Sequence, residues 1–227
     1  LLAQIVVFSP VKVEQNDIEQ FLNVEMNYSK KIAQDAVNNG KLLGWVLMQN
    51  TNVGPDDYNF MWVNAYPTIE IAANENAWWS HSEKVVGIKP DVLFSDSSKY
   101  KYDRSYTYKM QMSIPNTGPA AYVILNFATP DDVNAVAASS KKYVIPHFKK
   151  NMSDNGMVGW GMATKITPQG QEYSSMMTYD SYDSLKNAMK HLAGEGIIEG
   201  LPMDKLTKVT WEMRPIMKVI SSTTEKE

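Results

Sequence analysis

One short motif occurs twice in this chain, and its spacing limits the fold more than any other feature. Asn39-Gly40-Lys41-Leu42-Leu43-Gly44-Trp45 is answered by Asn155-Gly156-Met157-Val158-Gly159-Trp160, with the two Trp 115 positions apart and Gly40 and Gly156 116 apart. About half of a 227-residue chain separates the copies, so the chain reads as one supersecondary unit written twice.

The flanks carry the same order of elements. In the first half Asn16 and Asp17 offer a helix N-cap, and Ile18, Phe21, Leu22, Ile32, Ala33, Ala36 and Val37 keep the three-and-four spacing of a one-faced helix that Asn39-Gly40 ends. In the second half Thr129-Pro130-Asp131-Asp132 opens the helix, and Val133, Val136 and Ala137 begin its apolar face. Pro146 predicts a kink near Ile145, and Asn155-Gly156 closes the stretch. Apolar β-prone runs, 5–13 and 121–127, precede these helices. Two strands follow each Gly-Trp, at about 42–49 and 58–66 and again at 157–164 and 173–182. A shorter helix, 68–79 or 183–192, and a last strand, 106–114 or 209–220, complete each half. The order is β-α-β-β-α-β twice, with a first repeat at 1–115, a linker rich in Pro and Gly at 116–119 and a second repeat at 120–227.

A ferredoxin-like sheet carries helices on one face, and its other face meets water or a second sheet. Strands wet on one face alternate apolar with polar, whereas Leu42 to Met48 and Phe60 to Val63 run continuously apolar. The other half of the chain is the nearest cover. The expected fold class is therefore α+β, two tandem ferredoxin-like βαββαβ repeats forming an intramolecular α+β barrel.

The element order, the Gly-Trp at the start of the second strand and the tandem copy resemble the dimeric α+β barrel superfamily. That group includes antibiotic-biosynthesis-type monooxygenases, EthD-like and NIPSNAP-like proteins, and duplicated haem-binding relatives of chlorite dismutase. The resemblance spans nearly the whole chain and is one of fold, because no family catalytic motif lies residue by residue on this sequence. It implies two sets of site residues. Cofactor-independent oxygenases of the group use Trp, Asn and Tyr, which points to Trp62, Asn64 and Tyr66 on one strand face; the haem-binding relatives would place an axial ligand at His147 or His191.

Composition removes several classes of function. The net charge is −3 with scattered charges, so there is no basic field for nucleic acid. Cysteine is absent, which removes disulfides and thiolate chemistry. No apolar run reaches the ~18 residues that a transmembrane helix needs. Leu1-Leu2-Ala3-Gln4 fits either the tail of a signal peptide or the lead into a strand, so exported and cytoplasmic readings stay equally open, as does oligomeric state.

Of 22 basic residues only Arg104 and Arg214 are Arg, and Arg214 falls in the predicted last strand. Aligning 107–112 with 210–215 puts Lys109, Gln111, Glu212 and Arg214 on one face, either lining a cavity or at a solvated edge. A buried guanidinium must be paired, so Arg214 is expected to meet Glu212, Lys109, Gln111 or a bound anion. The ligand is then a small, partly apolar or acidic molecule. His81, His147 and His191 lack metal-ligand spacing, and the residues themselves call for no metal or cofactor. Trp45 and Trp160 are expected to pack in cores, with Gly44 and Gly159 admitting a helix. The segment from His81 to Arg104, extra in the first half, is expected to be a mobile surface flap. A small-molecule-binding barrel is the leading functional reading, an oxidative enzyme that is cofactor-free or haem-dependent the second, and a non-catalytic subunit with a filled interior the third.

Overall fold

Runs rich in β-branched and aromatic residues become strands in the computed structural model, which describes residues 5–74, 77–170 and 172–224. The reading of Leu1 to Gln4 lies outside them. The strands are β1 (Ile5–Lys12), β2 (Gly44–Asn50), β3 (Phe60–Tyr66), β4 (Lys101–Tyr102), β5 (Tyr106–Ile114), β6 (Tyr122–Ala128), β7 (Met157–Thr167), β8 (Met176–Tyr182) and β9 (Ile216–Ser222). The α-helices are α1 (Ile18–Val24), α2 (Lys30–Asn38), α3 (Ile69–Ala72), α4 (Ser82–Val86), α5 (Pro90–Leu93), α6 (Val133–Ser139), α7 (Ile145–Asn151) and α8 (Leu185–Leu192). Among the described residues no helix is long and apolar enough to cross a membrane.

The chain divides into two compact units, Leu1–Thr107 with Val219–Glu227, and Tyr108–Lys218. The first division falls at Thr107–Tyr108, ahead of the Pro-rich stretch at 115–119, and the end of β9 belongs with the first unit. In unit 1 the strand order is β2-β3-β1-β4, and antiparallel β3 sets Asn64 opposite both Trp45 and Val7, and Trp62 opposite both Leu47 and Ser9. In unit 2 the order is β5-β7-β8-β6-β9, with Asp180 opposite Trp160 and Ile124, and Thr178 opposite Met162 and Asn126.

Each unit packs helices on one sheet face. In unit 1 Phe21, Ile32, Ala33, Ala36 and Val37 meet Val11, Trp45, Leu47 and Phe60. In unit 2 Val136, Val144, Phe148 and Met152 meet Ile124, Trp160, Met162 and Tyr182. Both long helices contain a π-turn that the apolar spacing did not signal: Glu25–Ser29 joins α1 to α2, and Ser140–Val144 joins α6 to α7. Pro146 sits in the first turn of α7 directly after the π-turn, where the hydrogen-bond ladder is already re-registered, so the helical backbone continues past it.

Three expectations are corrected here. The last strand begins at Ile216, because Pro215 has no N–H to give the ladder; residues 207–215 are irregular apart from a bridge between Met213 and Phe127. A side chain, that of Asn116, and no helix, occupies the space above Gly159, while Gly44 has only Thr223 Oγ1, at 4.0 Å. The segment from His81 to Arg104 lies at the surface, as expected, but it carries short helices and one side of it packs on unit 1. Its Ser82 is fully buried, and Val85, Val86, Ile88, Leu93, Phe94 and Tyr100 pack on the unit 1 core.

Gly40 and Gly156 follow the two long helices with φ of 72° and 63°, the left-handed conformation that admits glycine freely. A Cβ at Gly40 would meet nothing within 4 Å, whereas one at Gly156 would lie within 2.6 Å of the Asp183 carboxylate and the Asn187 amide. Gly40→Ala is therefore expected to lower stability by roughly 1 to 2 kcal/mol and Gly156→Ala by about 2 to 4 kcal/mol, read as shifts in urea midpoint at constant slope. Equal losses would show that the Asp183–Asn187 pair moves aside freely.

Candidate functional site

Unit 1 holds a cavity of about 400 Å³ on the helix side of its sheet. Strand register builds the floor, since Ser9, Trp45, Trp62 and Asn64 rise from β1, β2 and β3 on one face. Phe21, Val24, Glu25 and Ser29 come from α1 and the π-turn behind it. The opposite wall is Trp78 together with the segment read from sequence as a flap, which supplies Leu93, Phe94, Tyr100 and Tyr102 among others. Aromatic rings dominate: Tyr102 stacks on Trp62 with centroids 6.1 Å apart, and Phe21 lies 5.7 Å from Trp62.

A carboxyl group sits among those rings. Glu25 is only 5% exposed; Trp62 Nε1 donates to its Oε2 at 2.8 Å, and Ser29 Oγ, one turn on, donates to its Oε1 at 3.2 Å. Burial disfavours the charged form more than these two donors favour it, and the group is pushed up to about 7. Two further polar atoms of lining residues, Asn64 Oδ1 in the floor and Trp78 Nε1 in the wall, are buried and without a partner among the described residues. An unmet buried donor or acceptor costs about 1 to 3 kcal/mol. The hydroxyl of Tyr100, also in the wall, is pushed up to about 12 by burial and by Asp96.

The corresponding face of unit 2 is a closed polar cluster. Asn126 Nδ2 donates to Asp180 Oδ2 at 2.5 Å and to Thr178 Oγ1 at 3.0 Å, and Arg214 Nε donates to Asn126 Oδ1 at 2.6 Å. The Arg214 guanidinium also reaches His191 Nε2 at 3.1 Å and lies over Trp211. Because Arg only donates, His191 Nε2 is the acceptor, so its Nδ1 carries the hydrogen and donates to the Tyr182 hydroxyl at 2.6 Å. Burial lowers the His191 pKa, in keeping with this neutral tautomer.

Of the residues singled out from sequence, Trp62 and Asn64 line the cavity together. Tyr66 packs against the unit 1 core and is not among the lining residues, and burial raises its pKa. Arg214 is paired, as its burial demands, but with Asn126 and His191; Glu212 accepts from Ser174, Gln111 donates to Thr164, and Lys109 is exposed on β5. These four do not form one site, because the loop before β9 takes Glu212 and Arg214 out of the predicted strand. His147 Nε2 donates to the Ile197 carbonyl, leaving Nδ1 opposite the Asn151 amide, and both His191 nitrogens are engaged. Neither histidine presents an unengaged ring nitrogen, so this donor set does not fit an axial haem ligand.

Glu25 and the wall escaped the sequence reading. Glu25 did leave a signal, a charge at spacing four from both Phe21 and Ser29 on the apolar stripe.

No family model and no curated protein matches the chain. Solved structures do. A candidate monooxygenase from Lactobacillus acidophilus superposes with a TM-score of 0.64 at 11% identity, over 99% of this chain and 98% of its own. An anthrone oxidase-like protein gives 0.56 at 10% identity, over 100% and 95%. A mutant chlorite dismutase of Candidatus Nitrospira defluvii gives 0.57 at 8%, over 96% and 91%. At such identities the likeness extends to the α+β fold and no further.

The Glu25 shift fixes a pH dependence of stability. Between its unfolded value near 4.5 and about 7 the folded chain holds a proton that the unfolded chain has released, so stability falls as pH rises through that window. Glu25 is expected to account for a loss of about 3 kcal/mol between pH 4 and pH 8, and Glu25→Gln to remove that slope in urea unfolding across the range. An unchanged slope in the variant would place the carboxyl in water.

Proposed function

We propose that unit 1 binds a small, flat, largely apolar molecule in the cavity beside Glu25. The observation that carries this reading is an aromatic-walled space of about 400 Å³ whose lining residues include two with unmet buried polar atoms, Asn64 and Trp78. Apolar walls with a few placed polar groups are the usual make-up of a small-molecule site. The buried carboxyl disfavours a ligand that arrives as an anion, so the acidic alternative tied to Arg214 gives way to a neutral one. A cavity of this size also speaks against a filled, purely structural interior.

Oxidation by dioxygen without a bound cofactor is the reaction class this cavity suits. Candidate monooxygenases and an anthrone oxidase-like protein share the fold, and the two histidines offered for haem are both engaged within unit 2. The two units are read as tandem ferredoxin-like repeats, 1–115 and 120–227. In support, β3 lies between β1 and β2 as β8 lies between β6 and β7, and Glu25 and Ser140 each begin a π-turn 20 positions before the repeated Trp.

α-Naphthol, a neutral flat probe, is expected to quench the tryptophan fluorescence of the protein saturably. Ser9→Phe, which fills the floor between β1 and β3, should weaken that binding at least about tenfold with unchanged far-ultraviolet circular dichroism. Equal binding by wild type and variant would move the ligand site out of this cavity.

A further inference from the structure

We propose that the cavity of unit 1 selects a flat aromatic base, a ring system carrying a weakly basic ring nitrogen, and holds it in its protonated form. This deepens the proposed function and rests on the reading that the cavity binds a flat molecule that arrives neutral. The charge and ring content of the lining select the class. Eight of the 18 lining residues are aromatic and three, Glu25, Asp96 and Asp103, are acidic; none of them is Lys, Arg or His. Aromatic faces carry partial negative charge and attract a cation, most strongly where water is excluded. Apolar walls receive a carbocycle and a nitrogen heterocycle of the same shape alike, so the sign of the charge around them decides between the two.

The three carboxyl groups are not equivalent. Asp96 is countered by Lys99 at 2.8 Å and Asp103 by Arg104 at 3.8 Å, both of these cations lying at the exposed margin. Glu25 has only neutral partners, the Trp62 indole and the Ser29 hydroxyl, and among the described residues no cation is paired with it. A protonated ring nitrogen supplies the missing countercharge. A permanent cation would shed its hydration to enter, whereas a weak base enters neutral and is protonated inside. When Glu25 enters the complex as the acid, its O–H bond breaks with the electron pair left on the carboxylate, and an N–H bond forms on the nitrogen lone pair, so the net charge is unchanged. When Glu25 is already ionised, the proton comes from water. Both routes end in one ion pair between rings.

The sign of one shift separates this arrangement from a plain apolar pocket. Burial without a countercharge lowers the basicity of a bound amine, and burial beside a carboxylate raises it. The probe is acridine, a flat three-ring base whose protonated form absorbs at longer wavelength than its neutral form; binding is followed by tryptophan quenching and protonation by absorbance against pH. Bound to the wild-type protein, acridine should titrate at least about one pH unit above free acridine. In Glu25→Gln the midpoint should fall to that of free acridine or below it. Ser29→Ala, which takes one donor from the carboxylate and so favours its neutral form, should reduce the rise. A wild-type midpoint that is unchanged or lowered, a rise that persists in Glu25→Gln or is undiminished in Ser29→Ala, or binding of α-naphthol without binding of acridine would overturn the assignment and leave the cavity reading standing. Failure of both acridine and α-naphthol to bind would remove the cavity reading and this inference with it.

Discussion

Placing one carboxyl group out of water is the constraint around which unit 1 is arranged. An ionised carboxylate moved into an apolar interior without partners loses several kcal/mol of hydration. Here two donors offset part of that loss, and each depends on a different element of the fold. Ser29 reaches Glu25 because both lie within one π-turn, and Trp62 reaches it because β3 runs between β1 and β2 with Trp62 on the helix face. The surrounding rings withhold any further compensation. The outcome is a group near the middle of its titration at neutral pH, the condition in which a carboxyl both accepts and returns a proton readily.

The same register positions are used differently in the two units. Asn64 and Asp180 each stand opposite a repeated Trp; Ser9 and Asn126 each stand two places further along the neighbouring strand. In unit 1 those places border open space, with unmet atoms among the lining residues. In unit 2 Asn126, Asp180, Arg214, His191 and Tyr182 satisfy one another in a chain of hydrogen bonds. At the position of Glu25, counted from the Trp, unit 2 has Ser140. A hydroxyl there lacks the charge that makes Glu25 hard to bury.

Much of the fold was legible in the sequence because its signals are local. The glycines after the long helices, the Gly-Trp pairs and the strands beside them reflect backbone conformations and faces that neighbours in sequence determine. The site was legible only in part. Trp62 and Asn64 share a strand, so period-two alternation puts them on one face. Glu25 is brought to them by packing, and its place on an apolar stripe was masked by the unbroken helix the spacing suggested. Arg214 was rightly marked as a group needing a partner, but the partners came from β6 and α8, at sequence separations of 88 and 23. The wall escaped because its helical turns are four or five residues long, too short to show a period.

That wall has a thermodynamic side. Its backbone is tied to the sheet through β4, two residues paired with Val11 and Lys12, so its docking rests mainly on apolar side chains. Such a segment opens locally at less free energy than the sheet beneath it. A molecule lodged between wall and floor binds only the docked state, and every increment of its affinity is also an increment in the stability of 77–104. Occupancy of the cavity and undocking of the wall are then two readings of one equilibrium, and substitutions away from the lining, at Val85 or Ile88, act on occupancy through it.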